Sequence, residues 1–358
     1  MAFLQFKNVR IAGFAAGVPK HIGSNLDRSL HNISEDYTPE AFVEATGVLE
    51  RHISDNLTTS DLGYEAAEKL IKDLDWQKSE IEALIFVSQT ADYIFPATAC
   101  ILQDRLGLSK ECYAADVALG CSGWVHGLSI IAGLMNAGSI KKAILIAGDA
   151  KPRYHCVINP LFGHAATVTA IEYSEGVQCL QFHFGTDGSG YDAIITPDGG
   201  SRNQTKPDSF NTEMVDGREI SRLQGRMKGM DVFAFGISTA PKSIKKLAEH
   251  FGFDYLGADY YVFHQANMKM NNTIVKKLKL DPEKVPSCMY HFGNTSSASI
   301  PLTIVTQLKG KIESRPTKFI CCGFGVGLSW GTVAMETNNI IISNLVEVEE
   351  PKGELPWV

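Results

Sequence analysis

Three side chains in this 358-residue sequence could act together if a fold joined them: Cys121, His264 and Asn294. Cys121 sits in "VALGCSGWVHGL", between a strand-like run and a long apolar helix-like run. A thiol at such a junction can be a small core residue. It can also be a nucleophile, because the N–H groups and dipole at a helix N-terminus favour a thiolate. His264 closes the apolar run "YYVFH", and Asn294 opens the small-residue turn "NTSSAS". Two chemistries suit a Cys/His/Asn set. In a hydrolase, His deprotonates Cys and Asn orients His. In a carbon–carbon condensing enzyme, Cys takes an acyl group as a thioester. His and Asn then donate hydrogen bonds to the carbonyl oxygen of a second thioester as it gains enolate charge.

Such residues need elements to carry them. "EALIFVSQT" (82–90) and "AILIAGD" (143–149) read as buried strands, and "PATACILQDRLGL" (96–108) reads as a helix. The second half keeps the same order: a strand in "DYYVFHQAN" (259–267), a helix in "MKMNNTIVKKLKL" (268–280), a turn and helix in "GNTSSASIPLTIVTQLKG" (293–310), and a strand entering a glycine turn in "TKFICCGFGVG" (317–327). Aligning Gln89 with Gln265 brings Gly120 near Gly293, a repeat of pattern with negligible identity. Alternating β and α runs predict helix-covered parallel sheets in two duplicated halves. Residues 1–178 form the half that carries Cys121 and residues 179–340 the half that carries His264 and Asn294. An exposed acidic tail is expected over 341–358, with Trp357 near its end. Sites in such sheets lie beyond strand carboxyl ends. Gln89, Cys121, Asp149, His264, Asn294 and Gly325 all stand there.

Composition narrows the class. Hydrophobic residues make up 44% and charged residues 20%, as in a soluble globular enzyme, and the net charge of −7 excludes general nucleic-acid binding. The start reads as a first strand and not as a signal peptide, and no run reaches membrane-span length. The eight cysteines show neither a C-x-x-C pair nor zinc spacing, so a cytoplasmic protein with reduced thiols and no metal is expected.

The segments "DVALGCSGWVHGLSIIAGLMNAG", "VFHQANMKMNNTIVKKL", "HFGNTSSASIPLTI" and "GFGVGLSWG" resemble, in order, the signature segments of the β-ketoacyl-acyl-carrier-protein synthase III family of the thiolase superfamily. "TGVLERHI" and "FPATACILQDRLG" also stand in family order. The resemblance implies an α/β, thiolase-like fold, with two duplicated halves packed as five αβαβα layers. It implies that Cys121 is the acylated nucleophile and that His264 and Asn294 activate a malonyl thioester. The backbone N–H groups of Cys121 and Val326 would form the oxyanion hole. Phe95, Trp124, Phe324 and Asn267 would line the substrate pocket, with Phe95 reaching a partner subunit's pocket and Asn267 touching the pantetheine arm. Lys269, Lys276 and Lys277 would face an acyl carrier protein. A homodimer is expected, without a bound cofactor. Its substrates would be pantetheine thioesters: acyl-carrier-protein or acyl-coenzyme A donors and a malonyl-carrier-protein extender.

The sequence departs from the family in three places. A tryptophan and an arginine of the coenzyme A site are replaced by Ala41 and Ala45, and a further arginine by Cys156, with Arg153 close by. This loses an adenine platform and a phosphate cation, and favours a carrier-protein donor. The family's "FGDGAGA" turn is here "FGHAATVTA", with His164 read as a buried hydrogen-bonded residue. Residues 199–226 are polar and irregular and give no acyl-chain length. The leading function is decarboxylative condensation. Its rivals are a same-fold acyltransferase to an oxygen or nitrogen nucleophile, a catalytically silent ketosynthase partner subunit and, more remotely, a Cys/His/Asn peptidase.

Overall fold

The computed structural model describes residues 1–27, 38–150, 159–177, 179–215 and 218–351. In chain order the strands are β1 (Ala2–Phe6), β2 (Val9–Pro19), β3 (Ile22–Ser24), β4 (Glu50–His52), β5 (Ala83–Val87), β6 (Tyr113–Val117), β7 (Lys142–Asp149), β8 (Ala165–Tyr173) and β9 (Leu180–Thr186). Four short strands follow, β10 (Ile194–Ile195), β11 (Thr212–Val215), β12 (Arg218–Ser221) and β13 (Arg226–Met227). The last are β14 (Tyr260–Phe263), β15 (Thr317–Gly325), β16 (Ser329–Thr337), β17 (Ile341–Ile342) and β18 (Val346–Val348). The helices are α1 (Pro39–Thr46), α2 (Thr59–Asp73), α3 (Thr98–Arg105), α4 (Gly123–Ala137), α5 (Gly229–Phe251), α6 (Met268–Leu278), α7 (Met289–Phe292) and α8 (Ser299–Thr303), the last continuing as a π-helical turn to Leu308.

The duplication is explicit in strand order. One sheet runs β2-β8-β7-β5 and the other β9-β16-β15-β14. Both have the same sequence of pairings: antiparallel, antiparallel, parallel. The sheets are therefore mixed, with antiparallel pairs beside the parallel ones that the alternating runs predict. Alternating βα units announce crossovers, but β15 turns directly into β16 and forms a hairpin, which must be antiparallel.

Five layers result. α2 and α3 cover the outer face of the first sheet, α4 and α8 lie between the sheets, and α5 and α6 cover the outer face of the second. One apolar cluster fills each of the three helix–sheet zones. The buried helix α4 packs close to its strands. A Cβ on Gly123 would meet Val87 Cγ1 at 2.5 Å, and one on Gly127 would meet Leu145 Cδ1 at 2.6 Å. Glycine at both positions lets α4 approach β5 and β7.

The chain ends cross between halves. The opening strand splits at Lys7–Asn8, where Asn8 adopts φ 58°; β1 joins β9 in the second sheet while β2 joins β8 in the first. At the other end, the stretch expected as an exposed tail instead adds β17 and β18 parallel to β2. Ile342 is buried there, and the Glu350 carboxylate accepts from the Asp55 N–H at 3.0 Å. Trp357, Arg153 and Cys156 lie outside the described residues. No helix among the described residues is long and apolar enough to cross a membrane. They contain no cluster of metal-ligating side chains. The segment read as irregular over 199–226 is pinned by a bidentate Arg222–Asp198 pair, both bonds 3.0 Å.

Candidate active site

Cys121 stands one turn residue before α4, between the ends of β6 and β15. Glycine in β15 makes room for it. A Cβ on Gly325 would lie 2.8 Å from the Cys121 sulfur, and one on Gly323 would lie 2.7 Å from the Cys121 carbonyl oxygen. The sulfur meets three donors: the Val326 N–H, its own backbone N–H and the Ser296 hydroxyl, each of which favours the thiolate. Burial opposes them and dominates, and the nearby Asp149 carboxylate adds to it, so the thiol is pushed up to about 11. Asp149 is held at the end of β7 by the Ser88 hydroxyl (2.9 Å) and the Gln89 N–H (2.7 Å). The Cys121 side chain is therefore a thiol at neutral pH.

His264 follows β14 and is buried. Its backbone N–H donates to the Cys322 carbonyl on β15 at 2.9 Å, and its own carbonyl accepts from Asn271 Nδ2 at 3.2 Å. Its Nδ1 lies 2.8 Å from the Ser299 hydroxyl, and the Phe324 ring stands edge-on, centroids 5.7 Å apart. Burial lowers the imidazole to about 3, against a smaller opposite pull from the Ser296 carbonyl. The ring is therefore neutral across the physiological range.

Asn294 is gripped by the other half. Its N–H donates to the Leu161 carbonyl (2.9 Å), and its carbonyl accepts from the Gly163 N–H (3.1 Å). Its side-chain oxygen accepts from the Ser296 N–H at 2.9 Å. With Oδ1 engaged there, the amide Nδ2 is left to donate outward. Ser296 thus touches all three groups: hydroxyl to the Cys121 sulfur, N–H to Asn294, carbonyl to the His264 ring. It does so at φ 52°, a conformation costly for a non-glycine residue. The sequence reading missed Ser296. Its only signal was position, two residues after Asn294 in a run of small polar residues.

Phe324 is buried beside His264. Asn267 caps α6, its side-chain oxygen accepting from the Met270 N–H at 2.8 Å. Lys269 and Lys276 line a groove of about 590 Å³ between α1 and α6, with Ala41, Glu44 and Ala45 opposite. Lys277 points away from that groove and donates to the Ile237 carbonyl of α5 at 3.0 Å. Phe95 is 83% exposed beside Ile94, which is 96% exposed. Trp124 is a correction. It is buried in the core, its indole N–H donating to Thr169 Oγ1 of β8 at 2.9 Å, on the side of α4 turned to the first sheet. His164 is buried behind the Asn294 turn, with Nδ1 accepting from the Ser54 N–H at 3.2 Å.

Among known proteins, the sequence matches the model of the family described as 3-oxoacyl-[acyl-carrier-protein] synthase III over residues 115–188, and that of its C-terminal part over residues 250–337. A putative 3-oxoacyl-[acyl-carrier-protein] synthase 3 of Campylobacter jejuni is 31% identical over 353 residues, covering 96% of this chain and 98% of the relative. The crystal structure of a 3-oxoacyl-(acyl-carrier protein) synthase from Burkholderia xenovorans superposes with a TM-score of 0.87 at 35% identity, covering 97% of this chain and 99% of that one. The synthase III of Pseudomonas aeruginosa superposes with a TM-score of 0.79 at 27% identity, covering 94% and 100%.

Proposed function

The chain belongs to the 3-oxoacyl-[acyl-carrier-protein] synthase III family of acyl-transferring condensing enzymes, and from that premise we propose that Cys121, His264 and Asn294 divide the reaction between them. In the first half-reaction the Cys121 sulfur attacks an acyl thioester. The new S–C bond replaces the old one, and the pantetheine thiol leaves with the cysteine proton. The Cys121 and Val326 N–H groups face the oxyanion of that step.

In the second half-reaction a malonyl thioester loses CO2, and the electron pair of the broken C–C bond becomes an enolate. Its carbon attacks the acyl-Cys121 carbonyl. A 3-ketoacyl thioester leaves, and Cys121 departs as thiolate and takes up one proton. His264 and Asn294 are the two donors to the enolate oxygen. The observation that carries this reading is the neutrality of both groups: a ring with its pKa near 3 and an amide whose oxygen is already engaged. A histidine so reluctant to take a proton is a poor general base, which disfavours transfer to an oxygen or nitrogen nucleophile. We further propose a homodimer joined through the exposed Tyr93–Phe95 loop, and an acyl carrier protein docking across Lys269 and Lys276.

Intact mass after mixing the protein with acyl-carrier-protein and acyl-coenzyme A thioesters tests the nucleophile. An adduct of the acyl mass is expected on the native protein and none on Cys121→Ala. His264→Ala should retain most of the acylation and lose the decarboxylation of malonyl-carrier protein by about a hundredfold. Equal loss of both half-reactions would refute the division of labour.

A further inference from the structure

A neutral imidazole carries one proton, and its place decides whether His264 donates a hydrogen bond or accepts one. We propose that Ser299 is a positioning residue that fixes this choice: its hydroxyl donates to Nδ1, so the ring proton resides on Nε2. The functional consequence rests on the condensing reading above. With Nε2–H in place, His264 matches the Nδ2–H of Asn294 as a second neutral donor.

The geometry around Ser299 supports the direction of the bond. Ser299 opens α8 and is fully buried. Its carbonyl accepts from Thr303 Oγ1 at 2.8 Å, and its backbone N–H donates to the Ser296 carbonyl. The carbonyl three residues earlier, a usual acceptor for such a hydroxyl, already takes that N–H. Ser and Thr hydroxyls in helices usually donate back to such carbonyls. Thr303 and Thr306 do so here, bonding Ser299 and Leu302 at 2.8 Å each. Ser299 does not. Among the described residues its hydroxyl has one hydrogen-bond partner, His264 Nδ1 at 2.8 Å. A hydroxyl buried with a single partner donates its proton there in preference to leaving it unmatched, since an unsatisfied buried donor is costly. The Ser296 carbonyl also lies against the ring and favours a proton on it. That carbonyl accepts from the Ser299 N–H as well, while Nδ1 is the nitrogen that the Ser299 hydroxyl contacts.

The arrangement has an internal parallel. Asn294 has its acceptor atom occupied by the Ser296 N–H, which turns its donor outward. Ser299 does the same for His264: it occupies the acceptor nitrogen and leaves a donor. The opposite tautomer would present a lone pair at Nε2, suited to a base and not to an enolate.

The test is nitrogen NMR of the full-length protein labelled with ¹⁵N-histidine, with the His264 signals assigned by their loss in His264→Gln. Long-range ¹⁵N–¹H correlations distinguish the two neutral tautomers. The native protein is expected to show Nε2 protonated and Nδ1 bare. Ser299→Ala should bring in the Nδ1–H form. It should also slow malonyl decarboxylation by about tenfold or more while leaving the rate of Cys121 acylation within about twofold. Ser299→Thr, which keeps the hydroxyl, should restore the native pattern and the decarboxylation rate. A native spectrum with Nδ1 protonated overturns the proposal, and so does an unchanged spectrum in Ser299→Ala. If Ser299→Ala does not fold, the native spectrum alone decides the direction of the bond. If the native enzyme condenses nothing, the functional reading fails while the spectrum still decides the role of Ser299.

Discussion

At the scale of single residues, the site sets burial against hydrogen bonding, and burial prevails at both of its ionisable members. Three donors meet the Cys121 sulfur, yet desolvation leaves the thiol at about 11. Alkylation of Cys121 by iodoacetamide should therefore keep rising about tenfold per pH unit through pH 9 and level only near 11. A plateau at or below pH 8, read by mass spectrometry of the Cys121 peptide, would show that the donors win. His264 gives a stability prediction. Its folded pKa, about 3, lies below the unfolded value of about 6.5, so the unfolded chain binds the extra proton first. The neutral ring carries no penalty above pH 6.5, and stability is lost as pH falls from there toward 3, at roughly 1 kcal/mol per pH unit. Denaturant titrations at pH 7, 6 and 5 should show this loss as a difference between the native protein and His264→Gln. Parallel pH profiles for the two would contradict it.

At the scale of elements, the thiol depends on how closely the end of β15 approaches the start of α4. Gly325 leaves 2.8 Å between a built Cβ and the Cys121 sulfur. Gly325→Ala should therefore fold, since β15 is otherwise paired along its length, yet displace the sulfur and cut acylation by about a hundredfold. A variant acylated at the native rate would show that the site tolerates a methyl group there. The "GFGVG" segment was legible as the end of a strand entering a turn, and the strands and helices around Gln89, His264 and Asn294 were legible from their apolar runs. Other features were not. The helix α4 is apolar on every side because sheets flank it on both faces, so periodicity gave no sign that Trp124 turns away from the thiol. Asn8, in its left-handed turn, breaks one apparent strand into two that join different sheets. Lys277 departs from Lys269 and Lys276 for a helical reason: positions seven apart share a face, and the neighbouring residue is turned by about 100°. Ser299 draws its role from a contact across the fold, with His264, and Ser296 joins such contacts to a local one with Asn294.

At the scale of the whole molecule, the two halves are interlocked, and one surface still stands open. β1 from the chain start completes the second sheet, and β17 and β18 from its end complete the first. The halves cannot separate without breaking both sheets, which suits a site whose cysteine and histidine come from different halves. The loop after β5 is built otherwise. Ile94 and Phe95 are 96% and 83% exposed, and Tyr93 is 48% exposed. Three consecutive large apolar side chains in solvent suit the association surface proposed above. The same loop leads into α3, whose first N–H groups at Thr98 and Ala99 are held by the Asp116 carboxylate at 2.7 Å each, so its base is fixed. A second copy of the chain is the partner that the proposed homodimer supplies. Sedimentation velocity of the native protein should give a dimer, and Ile94→Asp should shift it toward monomer by placing a charge in the contact. The variant should keep its fold, because the Ile94 side chain lies almost wholly in solvent. If Phe95 reaches into the neighbouring pocket, the monomer should also acylate Cys121 more slowly with longer acyl chains than with acetyl. A native monomer would remove the partner from the site, and an Ile94→Asp variant that remained dimeric would move the contact to another face.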